Sequence, residues 1–288
     1  MNEIPHKMIQ HNEQLAAVAF GKQSSVFDAI YSGNTIVQYK RERVRETVMS
    51  YVPKGSHILE LNCGTGEDAI FFAQNGYAVH ATDISQGMLE KTEAKVLRQA
   101  LGDKISFEQC SYTNLLSLKP GKQYDAIFSN FGGLNCTNEL DKVLSSFNTI
   151  LKPGGIACLV ILPKFCLLET LLIFKGKFKT AMRRFFSSKG RSAHIEGEHF
   201  TCWYYNPSYV RSILKDDFTV ETVEGLCTLV PPSYIEHFAE RYPRMFNFLK
   251  TAEQRLKSTW PWRSIGDYYI IVLRRCEHTD DAGWADLH

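Results

Sequence analysis

The run "ILELNCGTGEDAIFFAQNGYAVHATDIS", residues 58–85, constrains this chain more than any other. Ile58, Leu59 and Leu61 make a short buried strand, and the glycines that follow turn the chain. "EDAIFFAQNG" has the apolar spacing of a helix and stops at Asn75-Gly76; "YAVHATD" is a second strand. Strand, glycine turn, helix and strand predict a parallel unit whose ligand lies beyond the carboxyl ends of its strands. Two loop patterns fit the glycines. Gly64, Gly66 and Ala69 match the G-x-G-x-x-A loop of dinucleotide binders. Read from Glu60, the same residues nearly match E-x-G-x-G-x-G, with Asn62 in place of the first glycine.

The alternation continues. "SQGMLEKTEAKVLRQALG" is a helix capped by Ser85, "ISFEQCS" a third strand and "YDAIFSNF" a fourth. An amphipathic helix stops at Pro153-Gly154-Gly155, before the fifth strand, "IACLVIL". The fold class is therefore α/β, a doubly wound, mostly parallel sheet. Residues 24–51 read as helical, with Phe27, Ile30 and Tyr31 and then Val37, Val44 and Val48 as apolar positions. Beyond Leu162 a helical stretch with a basic tail leads to "HFTCWYYN", an aromatic strand. A helix, the strand "FTVETVEGL", a helical region interrupted at Pro243 and the strand "GDYYIIVLRR" follow. The expected organisation is an N-terminal helical segment (1–50), a cofactor-binding core (51–162), lid additions over the ligand edge with a sixth strand (163–262), a final strand (263–276) and a tail (277–288).

Composition excludes several classes. With 44% hydrophobic and 22% charged residues and a net charge of +2, the chain is an ordinary globular protein with no global attraction for nucleic acid. Its eight cysteines form no C-x-x-C pair, so neither a zinc site nor a disulfide scaffold is expected. The first twenty residues lack a signal-peptide core, and the apolar region 156–174 is cut by Pro163, Lys164 and Glu169. A reducing, cytoplasmic setting is expected.

Glu60 separates the two cofactor readings. A buried carboxylate repels a pyrophosphate but attracts an ammonium group. Asp83, closing the second strand, suits the ribose hydroxyls of either cofactor. With "LELNCGTGED", "VHATDISQGML", "FEQCSYTNL", "YDAIFSNF" and "LKPGG" in order, residues 27–162 resemble the class I S-adenosylmethionine (SAM)-dependent methyltransferases, especially the small-molecule and quinone-type branch. The resemblance implies a seven-stranded sheet with a reversed last strand, SAM as cofactor and S-adenosylhomocysteine as product. It implies that Glu60 and the loop Asn62, Cys63, Gly64, Thr65 and Gly66 hold the methionine part. Asp83 would bind the ribose, Ile84 would pack on adenine, Cys110 and Ser111 would flank it, and the Asn130 carbonyl would meet the SAM amino group. Many relatives carry an acid at the position of Cys110; here Ser111 or a backbone group is expected to serve. Asn62 is expected at positive φ, which Asn enters more readily than most residues.

The acceptor is expected to be a small molecule, methylated on an oxygen of an aromatic, quinone-like or lipid-like compound. Phe131 and Asn135, in "SNFGGLN", and Trp203 and Tyr204, in the aromatic strand, are candidates for its pocket. His199 and His194 are the candidate bases for a phenol. The plainer reading of the same segment is an aromatic strand on the core with surface histidines. N- or C-methylation, a carrier-bound or macromolecular substrate, and a SAM-binding subunit without catalysis are the alternatives. Finally, residues 170–195 contain no acid, while Lys175, Lys177, Lys179, Arg183, Arg184, Lys189 and Arg191 alternate with Phe174, Phe178, Phe185 and Phe186. This basic segment, 175–191, reads as a solvated face or as a docking surface for an acidic carrier protein, an anionic substrate or a membrane.

Overall fold

A computed structural model describes residues 6–118, 123–185, 187, 189–235 and 237–277. Phe186, and the expected tail beyond Glu277, lie outside the described residues. Helix α1 (His6–Ser32) is followed by α2 (Thr35–Tyr51). The region expected to be helical, residues 24–51, falls in these two helices, and Asn34 caps the second: its Oδ1 accepts from the Ile36 and Val37 amides at 3.0 and 3.1 Å. Then come β1 (His57–Leu61), α3 (Glu67–Gln74), β2 (Ala78–Asp83), α4 (Gln86–Arg98), β3 (Ile105–Gln109), β4 (Tyr124–Ser129), α5 (Leu140–Ile150) and β5 (Leu151–Ile161). The remainder holds α6 (Leu167–Thr170), α7 (Phe178–Met182), β6 (Arg191–Ile195), β7 (Glu198–Cys202), α8 (Pro207–Leu214), β8 (Phe218–Leu226), α9 (Phe238–Arg241), α10 (Pro243–Leu256) and β9 (Tyr268–Arg275).

Seven strands form one sheet in the order β3-β2-β1-β4-β5-β9-β8. The five strands of the core are parallel, and β9 runs antiparallel to β5 and β8. Alternate residues of each strand feed opposite faces. Leu59, Leu61, Ile127, Leu159 and Ile271 pack on one side with α5 and α8. Ile58, Val79, Phe128, Val160 and Val272 pack on the other with α2, α3 and α4. The carboxyl ends of β1, β2, β3 and β4 open on one edge, and α1 crosses that edge.

The segment after β5 is more broken than the sequence predicts. Gly176, at φ 72°, separates the 3₁₀ turn Leu171–Lys175 from α7. Glu196 and Gly197, at φ 48° and 81°, make the two-residue turn of a β6–β7 hairpin. The aromatic strand stops at Cys202, before Trp203. Buried ion pairs fasten these additions to the core. Asp267 accepts from Lys40 at 2.8 Å and from Arg184 at 2.9 Å, and Arg184 also donates to Glu169 at 2.7 Å. No helix among the described residues is long and apolar enough to cross a membrane.

Candidate active site

The loop after β1 is built by hydrogen bonds to its two neighbouring strands. The Cys63 amide donates to the Thr82 carbonyl of β2 at 3.0 Å. Asn62 takes the expected positive φ, 49°. Its side chain reaches across to β4: Nδ2 donates to the Asn130 carbonyl at 3.1 Å, and Oδ1 accepts from Ser129 Oγ at 2.6 Å. Asp83 pins the loop from the other side, accepting from the Gly64 amide at 2.9 Å and the Ser85 amide at 2.8 Å. Gly133 lets the β4 turn close on this loop, since a Cβ there would sit 2.3 Å from Asn62 Cγ.

Beside the loop lies a partly open cavity of about 140 Å³. Helix α1 roofs it with Ala16, Ala17, Phe20 and Phe27. That helix is tied down along its length. Asn12 donates to the Cys136 carbonyl at 2.8 Å and accepts from the Thr201 amide at 2.7 Å. Glu13 accepts from the Ser111 hydroxyl. Asp28 accepts from Thr65 Oγ1 at 2.6 Å and pairs with Lys95 at 2.6 Å.

The cavity wall is acidic. Glu13, Glu60, Glu67, Asp68 and Asp83 line it, against the single cation Arg41. Arg41 and Arg45 both bind Asp68, at 3.0 and 2.7 Å, and Asn130 Nδ2 donates to it at 2.9 Å. Burial pushes the Asp68 carboxyl up, but the two guanidiniums and Asn130 outweigh it and hold the group below the usual carboxylate range. At Glu60 the same guanidiniums pull downward but are outweighed. Burial first, and then Asp68, push its carboxyl well above the usual range. Glu13 is also raised, chiefly by burial. Glu60 Oε2 and Glu13 Oε1 are buried with no hydrogen-bond partner, an arrangement that calls for donors from a ligand. A pyrophosphate against five carboxylates would be repelled; a cationic ligand with N–H groups is attracted.

Several residues singled out from the sequence lie elsewhere. His194 and His199 are exposed cross-strand neighbours on the β6–β7 hairpin, their rings 4.5 Å apart, and neither lines the cavity. Alternation explains this: Ala193, Ile195 and Phe200 face α1, so the histidines face solvent. Trp203 packs against the core, and Tyr204 is buried under the Arg184 guanidinium. Asn135 is fully buried and spent on the Leu162 amide and the Leu162 and Trp203 carbonyls. Cys110 Sγ turns toward the carbonyls of Ser111 and Asn114, and Ser111 serves Glu13; neither lines the cavity. The lining residues all precede residue 137, so the roof is α1 and not the 163–262 additions. Glu60, Asn62, Cys63, Gly64, Thr65, Asp83, Ile84, Asn130 and Phe131 are on the wall. Gly66, at φ 76°, lies behind it at the start of α3.

Residues 58–155 match the family described as methyltransferase domains. The chain is 29% identical over 141 residues to a demethylmenaquinone methyltransferase of Leptospira interrogans, covering 47% of this chain and 55% of that protein. It is 31% identical over 159 residues to the ubiquinone/menaquinone biosynthesis C-methyltransferase UbiE of Pseudoalteromonas translucida, covering 52% and 61%. The chain thus spans between half and two thirds of the length of these relatives. Its fold is like that of a Burkholderia thailandensis 1,6-didemethyltoxoflavin-N1-methyltransferase crystallised with S-adenosylhomocysteine. That likeness has a TM-score of 0.59 at 13% identity and covers 96% of this chain and 94% of the other. Residues 58–155 thus resemble a methyltransferase domain in sequence, in a chain with the fold of SAM-dependent methyltransferases.

The residues present fit that cofactor. Glu60 ends β1, Asp83 ends β2, and Glu13 is held at the end of β3 through Ser111 and Thr113. Adjacent strands are about 5 Å apart, and the three acids stand at the neighbouring ends of β1, β2 and β3. An elongated ligand with an ammonium, a ribose diol and an adenine amino group would meet one acid with each. Arg41, bound to Asp68, is the wall's one cation and would be the group to meet the ligand's carboxylate. Ser111, expected to serve where relatives carry an acid, instead donates to Glu13, so an acid from α1 stands near the end of β3. Sequence reasoning missed Glu13, Phe20, Arg41 and Asp68. The apolar spacing of Ala16, Ala17, Phe20 and Phe27 marks an amphipathic helix, yet nothing in it tells which surface the helix covers. Arg41, within "KRERVRE", reads as part of a solvated face.

Proposed function

We propose that this protein is a SAM-dependent methyltransferase acting on a small, apolar, electron-rich ring of the hydroquinone type, with a ring carbon as the receiving atom. The observation that carries the reading is the roofed cavity. Its acidic row suits the cofactor, while Ala16, Ala17, Phe20, Phe131 and Cys136 give it apolar wall for an acceptor. A roof of this kind favours a small molecule over a macromolecule, which would need an open groove. The names of the relatives support a quinone-type acceptor.

Bound SAM supplies an electrophilic methyl group on a sulfonium. The chain's own work is to hold, orient and dry the site. Glu60 accepts the ammonium, Asp83 the ribose hydroxyls and Glu13 the adenine amino group. Asn62 fixes the loop against β4, and α1 excludes water; alignment of this kind supplies much of the rate. An acceptor oxygen was expected from the sequence, with a histidine to take its proton. Among the described residues no histidine lines the cavity. A phenol ionises near pH 10 unaided, whereas an electron-rich ring carbon attacks first and releases its ring proton to water only after the new C–C bond has formed. Carbon is therefore favoured.

The test is incubation with ¹³C-methyl SAM and a 1,4-naphthohydroquinone, with the product read by NMR. A methyl bonded to ring carbon is the expected result, at a rate unchanged in His199→Ala. A methoxy product would overturn the choice of atom, and no transfer to any hydroquinone or phenol would overturn the reading.

A further inference from the structure

From α6 to the hairpin the chain forms a knuckle whose base is buried and whose tip is apolar and basic. The base is held by Glu169, buried and shared between Arg183 and Arg184, and by Arg184 on Asp267. At the tip, Gly176 reverses the chain between the turn Leu171–Lys175 and α7. Phe174 and Phe178, on either side of it, are 84% and 61% exposed, and Leu171 and Phe185 are also exposed. Lys175, Lys177 and Lys179 alternate with them, all exposed, and none is ion-paired with a described residue. No acid occurs between residues 170 and 195.

Rings held in water beside unpaired lysines have no role in the fold, because the knuckle is fastened through its base alone. Both features are satisfied by one environment. An anionic bilayer surface takes apolar side chains below its headgroups and basic ones at their level, with lysine stems reaching up from the apolar layer. An acidic protein would use the lysines and leave the phenylalanines in water. We infer that residues 171–179 are a docking site for an anionic lipid surface. This holds independently of which acceptor the cavity takes.

The experiment is flotation of the full chain with vesicles of phosphatidylcholine alone or with about one third phosphatidylglycerol. Binding to the anionic vesicles and little to the neutral ones is expected. Each lysine contributes about fivefold in affinity, so Lys175→Ala/Lys177→Ala/Lys179→Ala loses roughly a hundredfold. Phe174→Ser/Phe178→Ser is expected to lose at least tenfold, by the apolar area withdrawn. Both variants keep the wild-type unfolding midpoint, and the single Phe174→Ser serves if the double variant does not fold. No binding to anionic vesicles, or binding that neither set of substitutions weakens, would overturn the inference. Dependence on the lysines alone would overturn it too, and would point to an acidic protein.

Discussion

Asn62 shows how one side chain replaces a glycine without emptying the site. Its backbone stands at φ 49°, and its amide group ties the end of β1 to the end of β4. Glycine at this position would keep the backbone and lose both bonds; alanine would lose both and add strain. Asn62→Ala is expected to destabilise the fold by about 1–3 kcal/mol. Denaturant unfolding measures this, and an unchanged midpoint would mean that the loop does not depend on the amide. The positive φ was legible from residue type and loop position. The partners of the side chain were not, because they come from a strand more than sixty residues away.

At the level of elements, the parallel core was legible because each strand and helix carries its own period and its own stop signal. The roof was not. Sequence order suggested that the late additions, 163–262, would cover the ligand edge. Instead α1 covers it, and the additions are spent on buried ion pairs such as Arg184 with Asp267 and Glu169. Helix packing across a sheet edge is set by tertiary contacts that leave no periodic mark. The hairpin was missed for a related reason: its turn rests on Glu196 at positive φ, a residue that gives no turn signal. Because α1 supplies both Glu13 and the apolar roof, cofactor binding should steady it. SAM is expected to slow amide exchange in α1, notably over residues 12–28, more than in α10. Equal exchange with and without SAM would show that the roof does not sense the site.

Across the whole molecule, the buried acids give opposing responses to pH. Asp68 and Asp267 have carboxyls held below the ordinary value of 3.8, so the stability they contribute is full above it and is lost as the pH falls through their depressed values. Glu60 is raised well above 4.5. It favours the fold below 4.5, and that contribution is lost as the pH rises through its raised value. An ammonium against Glu60 favours the ionised form, so a cationic ligand recovers this loss. The stabilisation conferred by SAM is therefore expected to grow as the pH rises from 4.5 toward the raised value of Glu60, read as a thermal shift at each pH. A shift that stays flat or shrinks would remove Glu60 from the ligand's ammonium. The central claim is that the acidic cavity under α1 holds SAM, with Glu60 on its cationic end. Calorimetry with SAM and S-adenosylhomocysteine, on the wild type and on Glu60→Gln, tests it most directly. The expected result is one site for each ligand, weakened about tenfold or more in the variant by loss of a charge-assisted hydrogen bond. Absence of binding by either ligand, or wild-type affinity in Glu60→Gln, would contradict it.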